Sequence, residues 1–364
     1  MNLDTWIPYG SWSVVLADFL ILLHLTIGGV TLSCLLHLAS AKWRYRVRDI
    51  AVSLFSLYPL VFALLIVLFL ARNHVFLWMG GESAAMSEEH PLNGWHNLTF
   101  FWAREFGALL FVGWLWRRFI RLQAISEQSE ADWSRFKATA NWIPVVHVLY
   151  GTMVAWDFEM TLLPSWESSV YGMYHFVSNF GMFLATLVAV LFVLNGAGRL
   201  ARPMPDFVFN YLAQMMLAFT ILWTYLWFAQ YLTIWYGNIA EERVRIDSMV
   251  RGDYSVLWWT FFTMRFLIPF CLLVVTEVRH SPVWIFRIAL VMIAGTWIER
   301  FTWIAGTMEI GAFEKAHYPF TTPFDIIATA VIALAAVLLV RRRMMQNGLL
   351  VPAGASATGT VAGA

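Results

Sequence analysis

The chain has 364 residues, of which 60% are hydrophobic and 13% charged; its net charge is +1 and its mean hydropathy +0.65. A soluble domain carries about 25% charged residues, so this composition excludes one, and a charge so close to zero gives no case for nucleic acid. The only two cysteines, Cys34 and Cys271, lie in apolar runs and exclude a Cys-x-x-Cys site or an iron–sulfur ligand set.

The apolar residues fall in runs of about 20, the length that crosses a hydrocarbon core. Runs such as "VFALLIVLFL" do not alternate, which predicts helices rather than a barrel. In chain order the spans are expected at Ser11 to Ala39, Ile50 to Ala71, Leu98 to Phe119, Trp142 to Met160, Ser168 to Leu194, Phe207 to Tyr236, Tyr254 to Thr276, Val283 to Ala305 and Pro323 to Val340. The fold class is therefore an all-α membrane protein of about nine transmembrane helices. One polytopic domain is expected over residues 1–343, as a four-helix bundle at 11–160, a second at 168–306 and a ninth helix at 322–341, with a disordered tail at 344–364. The N-terminus lacks a basic region before its first apolar run, so no cleavable signal peptide is expected.

Lysine and arginine set the orientation. Sixteen of the 24 fall in one set of alternate loops, from Lys42 and Arg44 through Arg117, Arg135, Arg199 and Arg279 to Arg343. The other set holds Arg72, Arg243, Arg245, Arg251, Arg300 and Lys315 and is otherwise acidic, with Glu82, Glu88, Glu89, Asp157, Glu159 and Glu167. This predicts an N-terminus outside the cytoplasm and a C-terminus inside it.

An ionisable group within a span costs several kcal/mol and is a functional candidate by default. Asp18 and His24 lie on the first span, Arg104 and Glu105 on the third, His147, Tyr150 and Asp157 on the fourth, Arg265 on the seventh, and Glu299 with Arg300 near the outer end of the eighth. At 100° per residue, His147, Tyr150, Val154 and Asp157 share an arc of about 80°. Such a stripe can carry a proton from mid-depth to the outer face, or seat a quinol between an acid–base group and an aromatic wall. Structural roles compete: Arg104 with Glu105 or Asp18 as a packing ion pair, His24 as a bond to a neighbouring helix, Glu299 and Arg300 as interfacial groups. His24 and His37, 13 residues apart, have the spacing of a two-haem helix, but no second helix carries a matching pair.

Four stretches carry a resemblance: "HPLNGWHNLTFFWAREFGALLF" from His90, "YGTMVAWDFEMTLLPSWESSVYGMY" from Tyr150, "ILWTYLWFAQYLTIWYGNIAEE" from Ile221 and "RFLIPFCLLV" from Arg265. Together they resemble the polysulfide-reductase-type (NrfD-like) integral membrane subunits, most of all the ActF branch found in bacterial alternative complex III. The resemblance implies two four-helix bundles without covalent cofactor, and contact with quinone or quinol or a proton path. It also implies partners: an iron–sulfur/molybdopterin-like subunit, a sister NrfD-like membrane subunit and c-type cytochromes. The membrane it implies is a bacterial cytoplasmic (inner) one, with the N-terminus periplasmic. On matching positions, Asp157 and Phe158 precede Pro164 and Trp166 of the family motif, and Arg104 and Glu105 occupy its arginine region. The chain departs where Arg265-Phe266 replaces the family's His-Phe before Ile-Pro-Phe, and where an additional N-terminal helix of the branch is lacking.

The expected function is a membrane subunit of a quinol-oxidising respiratory complex, with electrons carried by the partners. The alternatives are a proton-conducting subunit without a quinone site, a secondary transporter, for which Gly28–Gly29 and Pro269 are the hints, and a haem-b subunit.

Overall fold

The structure is a computed structural model that describes residues 10–79, 95, 97–163, 166–312 and 317–351. It is all-α: α1 Ser11–Leu38, α2 Arg44–Leu70, α3 Leu98–Ile125, α4 Glu130–Ala140, α5 Trp142–Phe158, α6 Tyr171–Gly196, α7 Asp206–Gly237, α8 Ala240–Arg251, α9 Ser255–Leu273, α10 Pro282–Ala312 and α11 Pro323–Gln346. Among the described residues, 8 of these are long and apolar enough to cross a membrane. The 17 residues of α5 add a shorter crossing, about 25 Å long. The chain is thus a multi-pass membrane protein with the helices the apolar runs predict.

Local chemistry sets the helix ends and irregularities. Asn97 caps α3 by accepting from the Thr99 and Phe100 amides at 3.0 and 3.2 Å, and Thr322 caps α11 through the Asp325 amide at 3.2 Å, with Pro323 at its first turn. Two prolines reshape spans from within. Pro59 has no amide for the Phe55 carbonyl, and α2 tightens into a 3-10 turn at Leu54–Leu57. Pro269 likewise has no amide for the Arg265 carbonyl, and α9 widens into a π turn at Thr263–Leu267 that carries Arg265.

Packing follows from where each helix hides its apolar surface. α1 is apolar all round and 83% of its spanning window is buried, so it is the central post of the molecule; in α11 only 6% is buried, and that helix faces lipid. α1 meets α2, α5, α6, α10 and α11, while α6 packs on α5, α7 and α10. Gly28 and Gly29 make these approaches possible. A Cβ on Gly28 would lie 2.8 Å from Cγ of Phe183 in α6, and one on Gly29 would collide with the Ala51 carbonyl oxygen of α2. This glycine pair is a packing surface.

Three regions differ from the sequence expectation. Two short helices, α4 and α8, flank spans where loops were expected. The first part of the tail expected at 344–364 is ordered, and residues 352–364 lie outside the described residues: α11 runs to Gln346, and an antiparallel bridge joins Leu350 to Leu200, with Ala201 donating to Leu349 at 2.9 Å and Val351 to Arg199 at 2.8 Å. Glu82, Glu88, Glu89, His90, Pro164 and Lys315 lie outside the described residues.

Candidate functional site

The densest polar cluster sits where α6, α7, α9 and α10 meet the turn after α5. It is built from one stripe of α6: Tyr171, Tyr174, His175 and Ser178 recur at the three- and four-residue spacing that aligns side chains on one helix face. Facing them are Glu159 just past the end of α5, Trp223 of α7, Arg265 on the π turn of α9, and the successive residues Glu299 and Arg300 of α10. Glu159, His175, Glu299 and Arg300 are each 0% exposed, and Arg265 is 2%.

Their hydrogen bonds run without a break. His24 Nε2 of α1 lies 2.7 Å from His175 Nε2. His175 Nδ1 lies 2.7 Å from Glu159 Oε2. Arg300 Nη1 donates to both Glu159 oxygens at 2.8 Å, and its Nη2 donates to Glu299 Oε1 at 2.6 Å. Arg265 Nε donates to Glu299 Oε2 at 3.1 Å and its Nη2 to the Ser178 carbonyl at 3.1 Å. Glu299 also accepts from Tyr174 at 2.5 Å, Ser178 at 2.8 Å and Trp223 at 3.1 Å, while Tyr171 donates to Glu159 at 2.8 Å. Two carboxylates are therefore each held by an arginine and several neutral donors, which is the condition for keeping ions in apolar surroundings.

The histidines can be protonated in two patterns. His175 Nδ1 faces Glu159 and also lies 2.9 Å from Arg300 Nη1. With the proton on Nδ1 it donates to Glu159 and its Nε2 accepts from His24. With the proton on Nε2 it donates to His24 and its Nδ1 accepts from Arg300. Passage between these tautomers moves a proton between His24 and Glu159 without moving a heavy atom far. His147 of α5 stacks on His24 with ring centroids 6.2 Å apart, and its Nδ1 is 2.7 Å from Thr31 Oγ1. The polar chain thus runs from near mid-depth of α1 toward the face at which α1 begins, and stays buried throughout.

Arg245 closes the network on that face. It reaches in from α8, is fully buried, and donates from Nη2 to the carbonyls of Glu159 at 3.0 Å and Trp303 at 3.3 Å. Its guanidinium lies 4.3 Å from the Trp166 ring centre and 4.9 Å from that of Trp303. Burial pulls its pKa down, opposed by Tyr171 and Glu159.

A second cluster joins α3 to α5. Arg104 clasps Asp157 with two bonds, Nε to Oδ2 at 2.7 Å and Nη2 to Oδ1 at 2.5 Å. Asp157 also accepts from Trp95 Nε1 at 3.1 Å, and Arg104 donates to the Trp95 carbonyl. Glu105 and Tyr150 face Asp157 from α3 and α5. Asp18 stands apart, accepting from Trp297 of α10 at 2.7 Å and Thr329 of α11 at 2.8 Å.

The expected residues are thus divided among three places. His24, Arg265 and Glu299 enter the buried network, with His147 against it; Arg104, Glu105, Tyr150 and Asp157 form the second cluster; Asp18 fastens α1 to α10 and α11. The stripe from His147 to Asp157 is buried as expected, but its two ends bond different partners, about 15 Å apart along the helix. Arg104 pairs with Asp157 rather than Asp18 or Glu105. Glu299 and Arg300 are central, not interfacial. His24 spends its Nε2 on His175, and His37 packs on Trp133 and Phe136 with ring centroids 4.7 and 4.4 Å away.

Glu159, His175, Tyr171, Tyr174, Ser178 and Arg245 were not singled out from sequence. The signal for four of them was present: the arc test that picked out His147 to Asp157 on the fourth span selects Tyr171, Tyr174, His175 and Ser178 on the fifth. Searches against protein-family models and against curated proteins find no match for this chain.

Proposed function

We propose that this chain is a membrane subunit of a quinol-oxidising respiratory complex of the alternative-complex-III type, and that its own task there is to conduct protons. One observation carries the second part: the unbroken hydrogen-bonded series His24, His175, Glu159, Arg300, Glu299, Arg265, drawn from four helices and a turn and wholly buried. Residues so enclosed by tyrosine, tryptophan and phenylalanine exchange protons more readily than they admit a quinol head group. A network built only for rigidity needs no pair of bonded histidines with interchangeable tautomers.

The wider role rests on the resemblance in four stretches. In that assignment the chain holds no redox group, and electrons pass through an iron–sulfur/molybdopterin-like subunit and c-type cytochromes. The sister NrfD-like subunit sits alongside, and the N-terminal face is periplasmic, following the lysine and arginine bias. Quinol contact by this chain is the second reading. It is favoured by a groove on the membrane surface of α9, lined by Ser255, Trp259, Thr260, Thr263 and Met264, the last of these beside Arg265.

Replacing His175 by Gln in the assembled complex separates the two. A proton path predicts that quinol oxidation continues while proton release per quinol falls. Loss of quinol turnover with an unchanged ratio of protons to electrons in the residual activity would overturn it in favour of quinol contact.

A further inference from the structure

Among the described residues, the α3–α5 cluster holds more acid than base. Asp157 places both oxygens on Arg104 and adds the Trp95 indole, so its negative charge is fully matched. The guanidinium is committed in turn: two of its nitrogens serve Asp157, the third donates to the Trp95 carbonyl, and the group lies 4.2 Å from the Trp95 ring centre. Glu105 is the next residue along α3 and is 1% exposed. Its carboxyl faces Asp157, and its Oε1 meets no hydrogen-bond donor. Among the described residues the other titratable group against it is Tyr150 of α5, with Tyr58 of α2 behind; the Tyr58 hydroxyl already donates to the Leu109 carbonyl at 3.0 Å.

Two carboxylates beside one arginine in apolar surroundings cannot both be ionised without leaving a buried charge unpaired. Geometry decides which of them is neutral. Asp157 has the paired bonds that match a planar carboxylate to a guanidinium. Glu105 has none, and it has an anion in front of it that a carboxylic acid can donate to. We propose that Glu105 and Asp157 form a proton-binding site that holds one proton at neutral pH, carried on Glu105 and hydrogen-bonded to the Asp157 carboxylate. The site shares α5 with the histidine network but no residue of it, and stands whether or not the complex oxidises quinol.

The test is infrared spectroscopy of the purified full chain at neutral pH, comparing wild type with Glu105→Gln and Asp18→Asn. Expected is a carboxylic-acid carbonyl band in wild type that persists in Asp18→Asn and is lost in Glu105→Gln, with the melting temperature of Glu105→Gln close to that of wild type because the amide reproduces the donor. Equal bands in wild type and Glu105→Gln would overturn the proposal. Should that variant fail to fold, carbon NMR of wild type labelled at the glutamate carboxyls serves instead. One glutamate signal is expected to stay at the protonated position at neutral pH, and ionisation of every glutamate carboxyl would overturn the proposal.

Discussion

At the scale of single residues, the buried charges are held by partners that substitution removes one at a time. Asp157→Asn leaves Arg104 without its anion in an enclosed site, and breaking a buried pair in this way costs about 3–5 kcal/mol. Thermal unfolding in detergent is expected to show that loss, while Asp132→Asn, whose partner Arg135 is exposed, is expected to shift stability by under about 1 kcal/mol. Arg245→Met keeps the length of the side chain but strips the donor from the carbonyls of Glu159 and Trp303. It is expected to destabilise by about 1–3 kcal/mol, read in the same melts, with Arg243→Met on the exposed side of α8 close to neutral. These residues also mark what sequence conveyed. Asp18, His24, Arg104, Glu105, His147, Arg265 and Glu299 were conspicuous because polarity inside an apolar run is costly. Glu159 and Arg245 were not, because by position they read as loop charges; only the inward course of the turn after α5 and of α8 buries them.

At the scale of elements, hydropathy located every span but not the helices that lie between them. α4 and α8 carry charges on their open faces, so no apolar run announces them. The span lengths were read short where helices continue past the apolar run, as α3 does from Phe119 to Ile125. The close approaches between spans depend on single glycines that composition does not distinguish. Gly29 is the sharpest case, since the atom it would meet is backbone: the carbonyl oxygen of Ala51. Gly29→Ala is expected to force α1 and α2 apart and to lower the melting temperature. Gly107→Ala, with nothing within 4 Å of the new methyl group, is expected to gain up to about 1 kcal/mol from helix propensity. Equal behaviour of the two variants would refute the role assigned to the α1–α2 contact.

At the scale of the whole molecule, the 8 long spans among the described residues together with the shorter α5 place the start of α1 and the end of α11 on opposite faces, and the buried network lies toward the first of them, closed there by Arg245. On the orientation proposed from the bias of lysine and arginine, that face is periplasmic. Single cysteines introduced at Asn238 and at Tyr318 in a cysteine-free background are expected to react with an impermeant maleimide added to intact cells. Cysteines at Ser129 and Gln346 are expected to react only after the membrane is opened, and the reverse pattern would turn the proton exit toward the wrong compartment. The two polar clusters and the Asp18 junction occupy separate helix interfaces, which is why a one-helix stripe from His147 to Asp157 was an incomplete guide: the periodicity of one helix tells which residues share a face, but not which neighbour that face meets.

The most direct measurement is the number of protons released per electron by the assembled complex in sealed vesicles, for wild type, for His24→Phe and for the lipid-facing control Tyr225→Phe. His24→Phe keeps a ring between α1 and α6 but ends the hydrogen-bonded series. A lowered ratio in His24→Phe alone, with electron transfer preserved, is the predicted result, and a ratio equal to that of wild type would contradict proton conduction through this network.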